Sequence, residues 1–185
     1  MTDGATPLLI RPATPDDAPE LAQIHWDSWI ATYGGVLPPA AFDAFPLAAR
    51  EALWHSTALV MQHAPAKQQQ LLVAQAGALL LGFACLGPLR ANGVLLPAPE
   101  RGEVWALYLR PDALRRGTGS RLWSASQAWL RQAGFSEVYV WVLSANTGAV
   151  AFYRSQGCEQ VDARVFDANG VPVDELCLRR RLDSG

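Results

Sequence analysis

An apolar strand that leads through a glycine-rich turn into an amphipathic helix is the feature that most constrains the fold of this chain. The strand covers Glu103–Leu109, the turn is Gly117-Thr118-Gly119, and the helix runs to Ala133. A second apolar strand, Val138–Leu143, follows directly. A strand, a helix and another strand in this order predict a βαβ crossover with parallel strands. The chain is therefore predicted to belong to the α/β class.

The remaining elements flank this crossover. Hydrophobic runs predict strands at Leu8–Arg11, Leu71–Ala76, Ala78–Leu86, Gln160–Phe166 and Val173–Arg181, and helices after Thr14, within Ala40–Met61 with a boundary at Pro46, and at Ala149–Gln156. The predicted order is β-α-α-β-β-β-α-β-α-β-β, and the hairpins make the sheet mixed. With 185 residues and no repeat or linker in view, we expect one domain over 1–185, with its core at 8–182.

Composition narrows the classes of partner. A formal net charge of −2 gives no reason to expect a nucleic acid or an anionic membrane as partner. The three cysteines, Cys85, Cys158 and Cys177, lack the spacing of zinc ligands and fit a reducing compartment. The first residues lack the apolar centre of a signal peptide. We therefore expect a cytoplasmic protein without a metal site.

The turn before the central helix has the chemistry of an anion site. Backbone N–H groups at a helix N-terminus converge on one point, and Arg115 and Arg116 add positive charge. Gly-x-Gly also occurs in ordinary strand-to-helix turns, so this motif alone is weak. Leu122 stands where a dinucleotide fingerprint has its third glycine, and the Walker lysine is absent. The turn predicts a diphosphate-bearing cofactor that is bound by neither of those two folds.

A second polar motif follows the strand at Val138–Leu143. Asn146 begins the segment, and Phe152 and Tyr153 lie in the helix that ends at Gly157. One interpretation is structural: Asn146 caps the helix and both aromatic rings pack in the core, which we favour for Phe152. The hydroxyl of Tyr153 needs a polar partner if buried, so a functional role for Tyr153 is credible.

Together the two motifs resemble those of the GNAT superfamily of N-acetyltransferases. The family's acetyl-CoA motif, Gln/Arg-x-x-Gly-x-Gly/Ala, falls on 114–119, where Leu114 departs from its first position. The second signature, Asn-x-x-Ala-x-x-Phe-Tyr-x-x-x-Gly-Phe, falls on 146–158, where Cys158 replaces the final aromatic residue. The departure at Leu114 removes one side-chain contact without removing the loop.

The resemblance implies a GNAT-like acyl-CoA N-acyltransferase fold with a splayed central sheet and acetyl-CoA as cosubstrate. The implied cofactor contacts are Leu107, Tyr108, Leu109, Leu114, Arg115, Arg116, Gly117, Thr118, Gly119, Ser120, Asn146 and Tyr153. The backbone of Leu107 and Leu109 would bond the pantetheine amides, and the N–H of Leu107 would polarise the thioester carbonyl.

The implied reaction is direct transfer of an acetyl group to a primary amine of a small molecule or peptide. Tyr153 would protonate the departing thiolate, and a phenol and a thiol have similar ordinary pKa values. Glu103 or a water chain would take the proton from the amine. The alternative for Glu103 is an exposed acid at the end of a strand.

Aromatic residues on the first helix are candidates for the acceptor site. His25, Trp29 and Tyr33 are spaced to share one face, and Trp26 lies beside them. In the family's architecture Trp26, Trp29 and Tyr33 would border the acceptor. The alternative places the tryptophans in the core and His25 on the surface. Another acyl-CoA substrate, a non-catalytic acyl-CoA sensor and a homodimer also remain open.

Overall fold

Seven strands form one mixed sheet, and helices pack on both of its faces. The structure is a computed structural model that describes residues 7–35, 42–43, 45–63, 69–91, 95–168 and 171–182. The strands are β1 (Leu8–Pro12), β2 (Gln70–Ala76), β3 (Leu79–Pro88), β4 (Arg101–Leu109), β5 (Glu137–Leu143), β6 (Glu159–Ala168) and β7 (Val171–Arg181). The longer α-helices in that part of the chain are α1 (Ala18–Tyr33), α2 (Leu47–His63), α3 (Thr118–Gln132) and α4 (Thr147–Ser155).

The order of these elements along the chain confirms the predicted order. In space the strands run β1-β2-β3-β4-β5-β7-β6, and every neighbouring pair is antiparallel except β4 and β5. The helix α3 connects this parallel pair, as the predicted crossover requires. The second helix begins at Leu47, after Pro46. Asn169 and Gly170, which separate the last two predicted strands, lie outside the described residues.

The two faces of the sheet carry separate hydrophobic cores. On one face α3 and α4 pack against the central strands, with Leu122, Trp123 and Leu130 completely buried. On the other face α1 and α2 pack over β2 and β3, with Leu21 and Phe83 completely buried. Burying an aliphatic or aromatic side chain of this size contributes about 1.5–3 kcal/mol, so both layers are held firmly to the sheet.

The parallel strands β4 and β5 separate soon after they begin. Their pairing extends from Arg101↔Glu137 to Glu103↔Tyr139, although β4 continues to Leu109 and β5 to Leu143. The splay that was predicted in the central sheet is therefore confirmed. It leaves a gap that opens between the C-terminal halves of two central strands, which is where open α/β sheets commonly bind ligands.

A β-bulge at Trp105 decides which side chains of β4 face which layer. Val104 pairs with Leu86 and Ala106 pairs with Cys85, so Trp105 is the extra residue on β4. After the bulge, Leu107 and Leu109 pack against the α3–α4 core, whereas Trp105 and Tyr108 pack against the α1–α2 core. Without the extra residue, Tyr108 would share the face of Val104, because side chains alternate along a strand.

No helix in the described part of the chain combines the length and the apolar character that crossing a bilayer requires.

Candidate active site

The backbone of β4 offers unpaired peptide groups to the gap beside β5. Arg110 N donates to Leu81 O at 2.9 Å, and Gly82 is paired with Leu109. In an antiparallel ladder the peptide groups of successive residues point alternately to either side. The N–H and C=O groups of Leu107 and Leu109 therefore point away from β3 and into the gap.

The N-terminus of α3 lacks a side-chain cap. Its N-cap is Gly117, with a φ of +82°, and Arg115 shortly before it also has a positive φ of +58°. A Cβ at Gly117 would meet nothing within 4 Å, so the left-handed backbone rather than lack of space favours glycine here. The N–H groups of Thr118, Gly119 and Ser120 are thus available to an anion at the positive end of the helix dipole.

A cavity of about 350 Å³, which we call the loop cavity, lies beside this helix end. It is lined by Ser28, Ala31, Thr32, Leu107, Leu109, Pro111, Leu114, Arg115, Gly117, Gly119, Ser120, Asn146, Gly148, Ala149, Phe152 and Tyr153. A Cβ on Gly119 would lie 3.2 Å from Leu109 Cδ1 and 3.6 Å from the ring of Phe152. The glycine therefore keeps α3 close to β4 and α4.

A second cavity of about 510 Å³, which we call the cleft cavity, occupies the gap between β4 and β5. Its walls come from α1 (Trp29, Tyr33), β4 (Glu103 to Tyr108), β5 (Val140 to Leu143), α4 and the residue before it (Asn146, Ala149, Tyr153), and the outer residues Arg90, Ala91, Arg164, Val173 and Glu175. Leu107, Asn146, Ala149 and Tyr153 line both cavities. The two cavities therefore meet at these four residues.

Tyr153 stands at this junction with its side chain almost entirely buried. It is 5 % exposed, and its ring meets the ring of Trp123 edge-on at 5.2 Å. Burial raises the pKa of the Tyr153 hydroxyl well above its usual value, with the neighbouring Tyr108 as a lesser cause. The phenol is therefore protonated at neutral pH.

Asn146 uses both ends of its side-chain amide. Its Oδ1 accepts a hydrogen bond from Ala149 N at 3.0 Å, which makes it the N-cap of α4, as its structural interpretation predicts. Its Nδ2 donates to the hydroxyl of Tyr33 at 3.4 Å. Burial raises the pKa of Tyr33 to about 12 although this hydrogen bond lowers it. Asn146 thus connects α4 with α1 at the junction of the cavities.

Glu103 lies at the opposite end of the cleft cavity and is 2 % exposed, so the alternative interpretation as an exposed acid is wrong. Its Oε2 accepts from the backbone N of Arg90 at 2.9 Å, and its Oε1 accepts from Arg90 Nη2 at 2.6 Å. The carboxylate is held in place by a residue just beyond the end of β3.

The aromatic residues of α1 form the wall next to β4. Trp29 Nε1 donates to the hydroxyl of Tyr108 at 3.2 Å, and the ring of His25 stacks on that of Tyr108 at 4.5 Å. His25 is 6 % exposed and its Nδ1 accepts from Trp54 Nε1, so its expected surface position is wrong. Burial, with a smaller contribution from the charge of Arg50, lowers the pKa of His25 to about 3.

Arg50 on α2 supports the same wall from behind. Its side chain is completely buried, and its guanidinium lies 5.4 Å from the ring of Trp26, 5.1 Å from that of Trp29 and 4.7 Å from that of Phe45. Its Nε donates to Phe45 O. Burial lowers the pKa of Arg50, and neither of its terminal nitrogens has a hydrogen-bond partner within the described ranges. Aromatic faces replace water around this charge.

The structure brings most of the predicted site residues together. Leu107, Leu109, Leu114, Arg115, Gly117, Gly119, Ser120, Asn146 and Tyr153 line the loop cavity, and Trp29, Tyr33 and Glu103 line the cleft cavity. Arg116 and Thr118 lie in the same turn without lining either cavity. Tyr108 lines the cleft cavity but not the loop cavity. Trp26 lines neither of these two cavities and lies against Arg50 instead. The half-buried Phe152 packs on the core and also lines the loop cavity.

Sequence reasoning missed the charged and aromatic residues at the outer end of the cleft cavity. These are Arg90, Trp105, Trp141, Arg164 and Glu175. They come from separate strands and a loop, so no local motif marks them. The alternation of valine with Tyr139 and Trp141 in β5 was the one available local signal.

Among the described residues, no three His, Cys, Asp or Glu side chains are grouped in a way that could hold a metal ion. The three cysteines are free and buried.

Comparison with known proteins gives one family. The sequence model of the acetyltransferase (GNAT) family matches residues 18–158. An uncharacterized N-acetyltransferase of Bacillus subtilis, YuaI, is 30 % identical over 172 residues, which cover 92 % of this chain and 91 % of that protein. A probable N-acetyltransferase of Mycobacterium tuberculosis is 26 % identical over 179 residues, with 93 % and 92 % covered.

Solved structures share the architecture. The PaiA N-acetyltransferase of Thermoplasma acidophilum, solved in complex with coenzyme A, matches with a TM-score of 0.76 at 19 % identity over 95 % of this chain and 99 % of that one. A putative acetyltransferase of Salmonella typhimurium, YncA, solved with acetyl-CoA, matches with a TM-score of 0.68 at 17 % identity, covering 96 % and 95 %. At these sequence identities the similarity shows a shared fold.

Proposed function

The chain belongs to the GNAT family of acetyltransferases, and on that premise we propose that it transfers the acetyl group of acetyl-CoA to a primary amine of a small molecule or peptide. The observation that carries the proposal is the meeting of the two cavities at Tyr153, Leu107, Asn146 and Ala149. One cavity leads from there to an uncapped helix end, and the other leads to a polar, aromatic-walled cleft.

The loop cavity is the site we assign to the coenzyme. The free N–H groups of Thr118, Gly119 and Ser120 would bind its diphosphate, because they converge where the helix dipole is positive. Arg115 lines the cavity and adds a full positive charge. Leu114, which replaces the family's polar residue, is 52 % exposed, so its loss as a contact leaves the backbone site intact.

The gap between β4 and β5 is the site we assign to the pantetheine arm and the acetyl group. The peptide groups of Leu107 and Leu109 point into it and have lost their partners on β5. A buried N–H that faces the carbonyl oxygen of the thioester stabilises the negative charge that develops during attack. We assign this role to Leu107, which lines both cavities.

The reaction would proceed by direct attack in a ternary complex. The amine nitrogen forms a bond to the acetyl carbon, the carbon–sulfur bond breaks, and the thiolate takes a proton from the Tyr153 hydroxyl. Burial raises the pKa of Tyr153, which by itself makes it a weaker acid. The same burial would raise the pKa of the thiol beside it, so the transfer stays near balance.

Glu103 is the base that we propose for the amine proton, acting through water. It lines the cleft cavity, but it lies roughly 10 Å from Leu107 along the strand, because the bulge reduces the four residues between them to three steps of β3. Direct contact with the reacting amine is therefore excluded for a short side chain. The ion pair with Arg90 holds the carboxylate in place at 2.6 Å.

A turnover assay with a panel of primary amines tests this proposal. Release of the coenzyme A thiol from acetyl-CoA that depends on the amine, with the acetylated amine detected by mass spectrometry, is the expected result. Other acyl-CoA thioesters in the same assay determine the acyl preference. Binding of acetyl-CoA without turnover across the panel would instead indicate a sensor. Because the three cysteines are free, we propose the cytoplasm as the place of action.

A further inference from the structure

The charges that face the cleft cavity balance one another. Arg90 and Arg164 supply two positive charges, and Glu103 and Glu175 supply two negative ones. Each carboxylate is paired with its own arginine, Glu103 with Arg90 at 2.6 Å and Glu175 with Arg164 at 2.7 Å. A polycation would therefore find no unpaired carboxylate among these four residues.

The two arginines differ in how many of their N–H groups bind the paired carboxylate. Arg164 directs both Nε and Nη2 at Glu175, at 2.8 and 2.7 Å, and its side chain is 23 % exposed. Arg90 makes its single side-chain hydrogen bond to the described residues through Nη2, and its side chain is 59 % exposed. A guanidinium has five N–H donors, so most of those on Arg90 stay available.

The guanidinium of Arg90 is also fixed in place. It lies over the ring of Trp105 at 5.3 Å from the centroid, while Glu103 holds one end of it. An arginine held in this way with a free donor edge suits a carboxylate, which accepts two parallel hydrogen bonds. Fixing the side chain in advance lowers the entropy cost of binding.

We propose that Arg90 binds a carboxylate of the acceptor, so that the acceptor is an amine that also carries a carboxylate. This inference rests on the proposed acetyl transfer at Leu107 and Tyr153. Trp105 and Glu103 are the residues that position Arg90. A carboxylate matches the N–H donors of Arg90 that Glu103 does not use.

The separation of the two ends sets the length of this acceptor. Because of the bulge, Glu103 lies only three steps of β3 from Leu107, roughly 10 Å, and Trp105 lies roughly 5 Å from it. The amine and the carboxylate must therefore be roughly 5–10 Å apart, which an α-amino acid cannot provide. An extended dipeptide spans roughly 7 Å and a tripeptide roughly 10 Å. A short peptide with a free C-terminus, or an ω-amino acid, fits the distance.

The test uses alanyl-phenylalanine and alanyl-alanyl-phenylalanine, each as the free acid and as the C-terminal amide. Calorimetry in the presence of coenzyme A measures binding, and thiol release from acetyl-CoA measures turnover. We expect at least one free acid to bind ten- to a hundredfold more tightly than its amide, since a charge-assisted pair is lost in the amide. Equal binding of acid and amide at both lengths would overturn the proposal.

Variants assign the preference to Arg90. Arg90→Gln should abolish the difference between acid and amide in the binding experiment. Arg131→Gln, which removes an exposed charge in the last turn of α3, should keep the difference. Because Arg90→Gln leaves Glu103 buried without its partner, the double variant Arg90→Gln/Glu103→Gln provides a neutral pair, and it too should lose the preference in the binding experiment.

Two kinds of failure can be told apart. If an acid-over-amide preference persists in Arg90→Gln, the assignment to Arg90 is wrong although the enzyme still acetylates amines. If neither the four peptides nor any amine of a broad panel releases coenzyme A from acetyl-CoA, the proposed acetyl transfer itself fails, whatever the calorimetry shows.

Discussion

Asn146 donates a hydrogen bond from Nδ2 to the hydroxyl of Tyr33 at 3.4 Å and so joins α4 to α1 at the point where the loop and cleft cavities meet. The same side chain caps α4 through Ala149 N. One amide therefore fixes a helix end and positions an aromatic wall of the cleft cavity.

Two variants separate these contributions. Asn146→Ala loses the cap and should lower the free energy of unfolding by about 1 kcal/mol. Tyr33→Phe keeps the cap on Ala149 N and removes the hydroxyl that accepts from Asn146 Nδ2. We expect it to retain stability and to lower turnover. Urea denaturation and steady-state kinetics measure the two effects, and equal turnover in Tyr33→Phe and the wild type would show that the bond to Tyr33 is dispensable.

Removing the hydroxyl of Tyr153 tests its role as the acid. Tyr153→Phe should lower kcat by about one to three orders of magnitude, since a general acid is lost, with little change in the affinity for acetyl-CoA. Tyr139→Phe is the matched control. Tyr139 is equally buried at 3 % exposure, but its hydroxyl donates to Glu137 and it lines neither cavity. An unchanged kcat in Tyr153→Phe would dismiss Tyr153 as the acid.

A negative charge at the N-cap of α3 should weaken coenzyme binding. Gly117→Asp brings a carboxylate to the positive end of the helix, and we expect roughly ten- to a hundredfold weaker binding of acetyl-CoA. Gly134→Asp follows the other end of the same helix, where φ is +96° and the space is equally open. It carries the same backbone strain and should leave the affinity unchanged. Equal affinities in both variants, measured by calorimetry, would move the coenzyme away from the loop cavity.

Acid should destabilise the protein through His25. Its pKa is about 3 in the folded protein, against roughly 6.5 in the unfolded chain, so the unfolded chain binds the proton first. The contribution to stability is complete above pH 6.5 or so and is lost as the pH falls towards 3. Between pH 7 and 5 the loss is about 2 kcal/mol.

The variant His25→Gln isolates this effect, because glutamine can still accept from Trp54 but does not titrate. Its free energy of unfolding should fall by about 2 kcal/mol less than that of the wild type between pH 7 and 5. His55→Gln, at an exposed position of α2, should behave like the wild type. If all three proteins lose stability equally in urea titrations, a buried neutral His25 does not govern the acid response.

Local chemistry explains what could be predicted from the sequence. The positive φ at Gly117 and the cap made by Asn146 depend on residues within a few positions of each other, and the strands that flank α3 are marked by continuous apolar runs. The order of all elements follows from signals of this kind.

Tertiary contacts explain what the sequence could not reveal. His25 is buried because Trp54 and Tyr108 cover it from α2 and β4, and nothing on α1 indicates those neighbours. Glu103 meets Arg90 across the end of a hairpin, and the bulge at Trp105 reassigns the side chains that follow it. Each of these depends on registers and distances that the pattern of single elements does not contain.

A structure with acetyl-CoA bound tests the central claim most directly. We predict the diphosphate within hydrogen-bond distance of the backbone N atoms of Thr118, Gly119 and Ser120, and the thioester carbonyl oxygen near the N of Leu107, with Tyr153 facing the sulfur. Acetyl-CoA bound elsewhere on the protein, with these backbone groups uncontacted, would contradict it.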